Sequence, residues 1–323
     1  MHTGSTGNDG EGRAILALGL ATFFWSGNFI AGRAIGGAVP PLELNIIRWA
    51  LCLLLLLPIT LPALLRHRLE IIRAWRLILL LGLTGIAGFH TMVYKALTLT
   101  AAVNALLILS LAPVVTALGG ALWNGYRPGV AQVGGLVLSA CGGGIILLFG
   151  RGDGAGVGMI DQGALWMMGA IVVWAAYTLL LRHRPPSLPQ DVTLTASVVV
   201  GVGAMALVLS FRGVQPVHLT GASIFAILYI AVFASLFGFL LWSWGLTRIG
   251  PERAGQFLHL MPVFGTLLAV LLLGERFLPA HGLGALLAIG GIALVNRTPR
   301  ASGPRLRGPG GAPIKSPMTT NEK

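Results

Sequence analysis

The fold of this chain is decided by a stretch that occurs twice, as LTLTAAVNALLILSLAPV at residues 97–114 and as LTRIGPERAGQFLHLMPV at residues 246–263. One ungapped shift of 149 positions superimposes the two stretches and continues beyond them. It pairs identical residues along both halves of the chain, including Trp25 with Trp174, Ala105 with Ala254, Pro113 with Pro262, Arg127 with Arg276 and Gly142 with Gly291. A fixed period of this kind predicts a duplicated structural unit.

The composition indicates that both units lie in a membrane. Apolar residues make up 55% of the 323 residues and charged residues 10%, whereas roughly 25% of an average soluble domain is charged. A helix needs about 20 apolar residues to cross the hydrocarbon core of a bilayer. Ten runs have a suitable length, at about 14–36, 42–65, 71–95, 101–122, 130–149, 161–181, 191–211, 221–247, 252–273 and 280–297.

Each copy contains five runs, an odd number, so the second copy enters the bilayer from the opposite side. The sequence therefore predicts an all-α integral membrane protein with ten transmembrane helices, arranged as two inverted five-helix repeats as in many secondary transporters. The predicted organisation is an N-terminal segment (1–13), a first repeat (14–149), a Gly-rich linker (150–160), a second repeat (161–297) and a disordered tail (298–323). Sixteen Lys and Arg residues fall on the side of the termini and six on the other, which predicts cytoplasmic termini.

Several classes of function are disfavoured by the pattern of charges and motifs. The net charge of +12 is spread between the apolar runs and the tail, so nucleic acid is not an expected partner. Cys52 and Cys141 lie in separate apolar runs and predict neither a disulfide nor a metal site. No motif of a metalloprotease, a serine hydrolase or a P-loop protein occurs. We expect a non-enzymatic protein without metal or cofactor, surrounded by lipid and acting on a small-molecule substrate.

The stretch LLWSWGL at residues 240–246, continuing through Pro262 to GER at residues 274–276, resembles the signature of EamA-type transporters of the drug/metabolite transporter superfamily. The segment IIRWA at residues 46–50 is similar to that family's second helix, although the first copy has GYR at residues 125–127 where the second has GER. The chain looks most like bacterial aromatic amino-acid exporters. The resemblance implies alternating-access export of amino acids and related metabolites across the inner membrane, through a cavity lined by spans 1, 3, 4, 6, 8 and 9.

Polar and aromatic side chains that share a helix face in the predicted spans are the candidate substrate-binding residues. Polar groups at membrane depth favour the interior of a helix bundle or a wet cavity. The candidates are Trp25 and Asn28, their counterparts Trp174 and Tyr177, and two further pairs, His90 with Tyr94 and Gln256 with His259. The alternative is that the tryptophans only pack helices together and that the polar groups only satisfy neighbouring helices.

Pro113 and Pro262 occupy equivalent positions in the middle of the fourth and ninth runs. A proline deprives the carbonyl four residues earlier of its helical donor, here the carbonyl of Leu109 or Leu258. We interpret the two prolines as hinges, the alternative being a kink that only shapes the bundle.

The substrate class and the driving force are left open by the residues. A purine, a drug-like cation or a sugar phosphate is the alternative substrate within the superfamily, and a channel is the alternative to a carrier. A sugar phosphate needs cationic groups, for which Arg48 and Lys95, both near the ends of their runs, are the candidates. All ten Asp and Glu residues fall in tails, loops or run ends, whereas ion-coupled carriers commonly keep an ionisable group near the bilayer centre. We expect transport driven by the substrate's own gradient, with proton coupling through His90 or His259 as the alternative.

Overall fold

The structure is a computed structural model that describes residues 6–123, 129–149, 161–249, 254 and 257–297. In these ranges all regular secondary structure is helical, which confirms the all-α fold class. The elements are α1 (Thr6–Ala34), α2 (Pro41–Arg66), α3 (Arg68–Arg73), α4 (Trp75–Leu81), π1 (Gly82–Gly88), α5 (Phe89–Leu99), α6 (Ala102–Leu109), α7 (Ala112–Trp123), α8 (Val130–Phe149), α9 (Gln162–Leu181), α10 (Gln190–Arg212), α11 (Gly221–Tyr229), π2 (Ile230–Phe237), α12 (Gly238–Ile249), a 3-10 turn (Phe257–His259), α13 (Leu260–Leu273) and α14 (Pro279–Arg297).

Seven helical stretches of the described residues are long and apolar enough to cross a membrane. They are Gly10–Ala34, Pro41–Arg66, Trp75–Leu99, Ala102–Gly120, Gln162–Leu181, Gln190–Arg212 and Gly221–Ile249. Shorter apolar stretches lie in α8 and in α13, at Val133–Gly142 and Leu260–Leu273. The chain is a multi-pass membrane protein, and the total of ten spans stays a prediction.

The local sequence explains where several helices begin. α2 starts at Pro41, in the first turn, where a proline's missing N–H is not required. The Asp161 carboxylate caps α9 by accepting the N–H of Gly163 at 2.8 Å. Before α11, Thr220 and Ser223 form a capping box, in which each side chain accepts the other residue's backbone N–H.

The third and eighth runs are interrupted by π-helical segments at equivalent positions. The shift of 149 carries residues 82–88, which form π1, onto residues 231–237, which lie within π2. π-Helical turns are rare and frequently occur at functional sites. The sequence did not predict these segments, since neither run contains a proline that would break the helix there.

The fourth and ninth runs are also interrupted, next to their prolines. The helix breaks between α6 and α7, and Pro113 lies in the first turn of α7. Pro262 lies in the first turn of α13, directly after the 3-10 turn. The irregular backbone therefore coincides with the expected positions, and the hinge role stays a prediction.

α8 and α14 pack along each other through glycines. Gly142 of α8 faces the α14 backbone at Gly284, and Gly291 of α14 faces the α8 backbone at Gly135. A methyl group added to either Gly142 or Gly291 would collide with that backbone. Small residues at these positions allow the two helices to approach this closely.

The contacts of this helix pair repeat under the shift of 149 positions. Residues 135, 139 and 142 correspond to residues 284, 288 and 291, so the contact of 142 with 284 maps onto that of 291 with 135. Midway, the Ser139 hydroxyl donates to the carbonyl of its own counterpart, Ala288, at 3.2 Å. The two helices are therefore antiparallel and related by a local twofold axis.

Candidate functional site

Arg48 is the most deeply buried cation of the described residues, with 1% of its surface exposed. It is the eighth residue of α2, so at about 1.5 Å per residue it lies roughly 10 Å along the helix from Pro41. Its Nε donates to the Ser235 hydroxyl at 2.9 Å, and its Nη1 donates to the Tyr94 hydroxyl at 2.7 Å and to Asn28 Oδ1 at 3.4 Å. Arg48 is a central residue of the bundle rather than the near-surface residue that its sequence position suggested.

Asn28 and Tyr94, two of the predicted site residues, meet at this guanidinium. The Tyr94 hydroxyl donates to Asn28 Oδ1 at 2.6 Å, and both side chains are buried. The fourth member, Ser235, was not predicted because it comes from π2. Its hydroxyl donates to the Ile230 carbonyl at 2.9 Å, across the five-residue spacing of a π-turn. We call Asn28, Arg48, Tyr94 and Ser235 the central polar cluster.

The charge of Arg48 is surrounded by neutral and aromatic groups. No carboxylate of the described residues lies within 4 Å of it, since the ion pairs found there join Glu43, Glu70 and Glu275 to other partners. The guanidinium carbon lies 4.8 Å from the ring centroid of Trp49 and 5.8 Å from that of Tyr94. Such contacts stabilise a buried cation without neutralising it.

A continuous series of aromatic rings borders the cluster and joins the two symmetric tryptophans. Neighbouring centroids lie 4.8–5.8 Å apart in the order Trp25, Phe239, Trp49, His90, Phe89, Trp174 and Tyr177. We call these seven residues the aromatic arc. Four of the predicted site residues belong to it, namely Trp25, His90, Trp174 and Tyr177, so the arc contains residues from both halves of the chain.

Individual members of the arc have local roles as well. The Trp25 indole N–H donates to the Ala234 carbonyl of π2 at 3.0 Å, so this tryptophan connects α1 to an irregular turn. His90 Nδ1 lies 3.1 Å from the Gly85 carbonyl of π1. The Tyr177 ring packs directly against Gly85. The predicted aromatic residues therefore contact the two π-segments that the sequence did not reveal.

Two of the predicted substrate-binding residues cannot be placed relative to this site. Gln256 lies outside the described residues, and His259 ends the 3-10 turn with a side chain that is also outside them. Lys95 is half-buried near the end of α5 and does not join the cluster. The described residues hold no group of three His, Cys, Asp or Glu side chains arranged for a metal ion.

A cavity of about 50 Å³ adjoins the cluster between α2, α10, π2 and α12. Ser235 lines it together with Leu56, Asp191, Phe239 and Ser243. It is too small for an amino acid, since ligand pockets usually measure about 300–1,000 Å³. Its walls include the second and seventh runs, which the expected cavity did not. The site is therefore nearly closed in this conformation.

A second set of polar contacts lies at the end of the bundle where α1 ends and α2 begins, here called the Ala34 end. The Glu275 carboxylate accepts the backbone N–H groups of Ala102 and Val103, at 2.8 and 2.9 Å, in the first turn of α6. Its Oε1 also lies 3.7 Å from Nε of Arg33. A residue that follows α13 thus caps a helix of the first half.

Further hydrogen bonds join the two halves at the Ala34 end. Thr100 donates to the Asp161 carboxylate and accepts from Asn104 Nδ2 at 3.2 Å. His281 Nε2 lies 2.8 Å from Asn104 Oδ1, and its Nδ1 accepts the Leu278 N–H at 3.0 Å. Because Oδ1 can only accept, His281 carries its proton on Nε2. At the same end, Arg212 contacts Glu43, the third residue of α2.

A family model described as the EamA-like transporter family matches residues 12–149 and, a second time, residues 161–297. The chain belongs to the EamA-like transporter family. It is 29% identical over 217 residues to "Uncharacterized transporter YyaM" of Bacillus subtilis (strain 168), which covers 66% of this chain and 70% of that protein. It is 26% identical over 226 residues to "Probable terminal-alkyne amino-acid exporter" of Streptantibioticus cattleyicolor, covering 68% of this chain and 73% of that protein.

A protein of known crystal structure resembles the transporter over most of its length. The two share 25% sequence identity and a TM-score of 0.60, and the match covers 87% of this chain and 95% of the other. The predicted family is thus confirmed, and the protein is a membrane transporter. Both family matches fall within the two repeats expected from the internal period of the sequence, apart from residues 12 and 13.

Proposed function

We propose that the transporter exports amino acids, chiefly those with aromatic or other apolar side chains, and related small metabolites. The observation that carries this proposal is the central polar cluster beside the aromatic arc. An amino acid has a charged end and a side chain, and this site offers hydrogen-bonding groups next to a wall of rings. The named amino-acid exporter among its relatives supports the same substrate class.

We further propose ten spans in two inverted repeats that work by alternating access in a bacterial inner membrane, with both termini cytoplasmic. The twofold contacts of α8 and α14 support the inversion, as do the equivalent positions of π1 and π2. In that orientation the Ala34 end faces away from the cytoplasm. Its hydrogen bonds between the halves support a carrier that is closed on that side.

The alternative substrates differ in how they fit the site. A drug-like cation would be repelled by Arg48, whose charge has no carboxylate partner among the described residues. A sugar phosphate would meet a single guanidinium, although phosphates are usually bound by several donors. A purine has no charge to match this group. These considerations favour an amino acid over the other classes.

Counterflow in proteoliposomes tests the proposal. Vesicles with the purified protein are loaded with unlabelled L-phenylalanine, L-leucine, adenine, tetraphenylphosphonium or glucose 6-phosphate, and uptake of the same labelled compound is measured. We expect saturable counterflow with the two amino acids. Counterflow with another class alone would replace the substrate assignment, and flux that does not saturate would identify a channel.

A further inference from the structure

We propose that Arg48 is the docking group for the carboxylate of the substrate. This inference rests on the proposed function and specifies it: the transported compounds are carboxylates, and the free acid group is required. The central polar cluster is then a carboxylate subsite, with the aromatic arc beside it for the remainder of the molecule.

The hydrogen-bonding pattern of Arg48 supports this assignment. Nε and Nη1 donate to Ser235, Tyr94 and Asn28, whereas Nη2 donates no hydrogen bond to any of the described residues. Two of the three guanidinium nitrogens are thus held by the central polar cluster, and the third, Nη2, has donors to spare. Guanidinium and carboxylate groups match in shape and charge, and their hydrogen bonds are stronger than those between neutral groups.

The charge of Arg48 also indicates that this residue binds a carboxylate. A cation within a membrane-embedded helix is unfavourable, and such residues usually pair with a counter-charge. Here the fixed partners are two hydroxyl groups and an amide, and the nearest rings attract the cation without cancelling its charge. A substrate carboxylate supplies the missing counter-charge. A zwitterionic amino acid does so without adding net negative charge to the site.

The small cavity beside Ser235 indicates the direction from which a substrate could approach this group. Ser235 both accepts from Arg48 and lines the cavity that extends to Asp191 in the first turn of α10. Asp191 is exposed at that helix start, on the side opposite the Ala34 end. We expect a carboxylate to approach the guanidinium from the Ser235 side when this cavity widens in another conformation of the carrier.

The decisive experiment compares three compounds with one ring: L-phenylalanine, L-phenylalaninamide and 3-phenylpropionate. Each competes for counterflow of labelled L-phenylalanine by the wild-type protein in proteoliposomes. Loss of a charge-assisted hydrogen bond weakens binding about 10- to 100-fold. We expect the amide to inhibit at least about 10-fold more weakly than phenylalanine, and 3-phenylpropionate to remain a competitor. Equal inhibition by the amide and the acid would overturn the proposal.

Variants of Arg48 test whether the preference for the acid over the amide depends on this residue. R48K keeps the charge and is expected to keep the preference for acid over amide, with weaker binding, whereas R48Q is expected to lose the preference. R66Q, which removes an exposed arginine at the far end of the same helix α2, is the matched control and should retain the wild-type ratio. An R48Q protein that is monodisperse and still prefers the acid would also overturn the proposal.

The outcomes separate this inference from the proposed function. Failure of every amino acid to support counterflow refutes the function. Counterflow of amino acids with equal recognition of their amides refutes only the carboxylate subsite. Because the wild-type comparison needs no variant, poor folding of R48Q would not prevent the decision. Inhibition by glucose 6-phosphate as strong as that by phenylalanine would show a general anion site and contradict the assignment to carboxylates.

Discussion

Replacing Glu275 with Gln should open the transporter at the Ala34 end. The carboxylate joins the second half of the chain to the first turn of α6 through the N–H groups of Ala102 and Val103. The first amides of a helix have no acceptor within the helix, so these two depend on Glu275. A glutamine keeps one acceptor oxygen but loses the charge and the second acceptor.

The expected magnitude follows from the two kinds of contact. Hydrogen bonds to a charged group contribute about 1.5–3 kcal/mol and neutral ones about 0.5–1.5 kcal/mol. The Arg33 side chain is 37% exposed and lies 3.7 Å away, so its ion pair contributes at most about 1 kcal/mol. We expect the closed state to lose about 2 kcal/mol relative to the open state, which is a shift of roughly 30-fold in their ratio at 25 °C.

Hydrogen–deuterium exchange measures this shift directly. If opening the Ala34 end exposes the amides of Ala102 and Val103, their exchange in E275Q should be faster by roughly that factor, while peptides from the α8–α14 pair stay unchanged. The control is E70Q, which removes a carboxylate of α3 that contacts His67 at the opposite end of the bundle. Unchanged exchange at residues 102–103 in E275Q, with wild-type counterflow, would refute the role of Glu275 in closing this end.

Three further results are expected. W25A and W174A should each lower counterflow while the protein stays monodisperse, because both rings belong to the aromatic arc; loss of folding without a transport defect would instead assign them to packing. G142A should destabilise the protein by about 1–3 kcal/mol, since its methyl group collides with the α14 backbone; G144A, where a methyl meets nothing within 4 Å, should not, and equal melting temperatures would contradict the described contact. Counterflow should proceed without an imposed pH, sodium or potential gradient; uptake that requires a pH gradient and disappears in H90A would establish coupling through that histidine instead.

Much of the architecture could be predicted because it depends on composition and periodicity, which can be read directly from the sequence. Apolar runs of membrane length predicted the helical fold class, and the resemblance of residues 240–246 and 274–276 to a known signature indicated the family. Asn28 and Tyr94 were found because a polar group in an apolar run is conspicuous.

The parts that were missed depend on tertiary structure. π1 contains three glycines and π2 contains none, so composition does not reveal their common geometry. Without the π-turn, Ser235 is one of several serines in apolar runs, and nothing in its neighbourhood points to Arg48. Arg48 itself lies eight residues into its helix, and only the surrounding helices decide that it faces inward rather than towards the lipid headgroups.

Glu275 also bears on which conformation a carrier built from two similar halves prefers at rest. Two identical inverted halves would give equal free energies to the conformations open on either side, and such a carrier would have no preferred resting state. The position equivalent to Glu275 in the first copy is Tyr126, which has no carboxylate to cap a helix of the other half. We expect this carboxylate to shift the resting population towards closure at the Ala34 end. Replacing Glu275 with Tyr, the residue of the first copy, should bring the populations of the two conformations closer together.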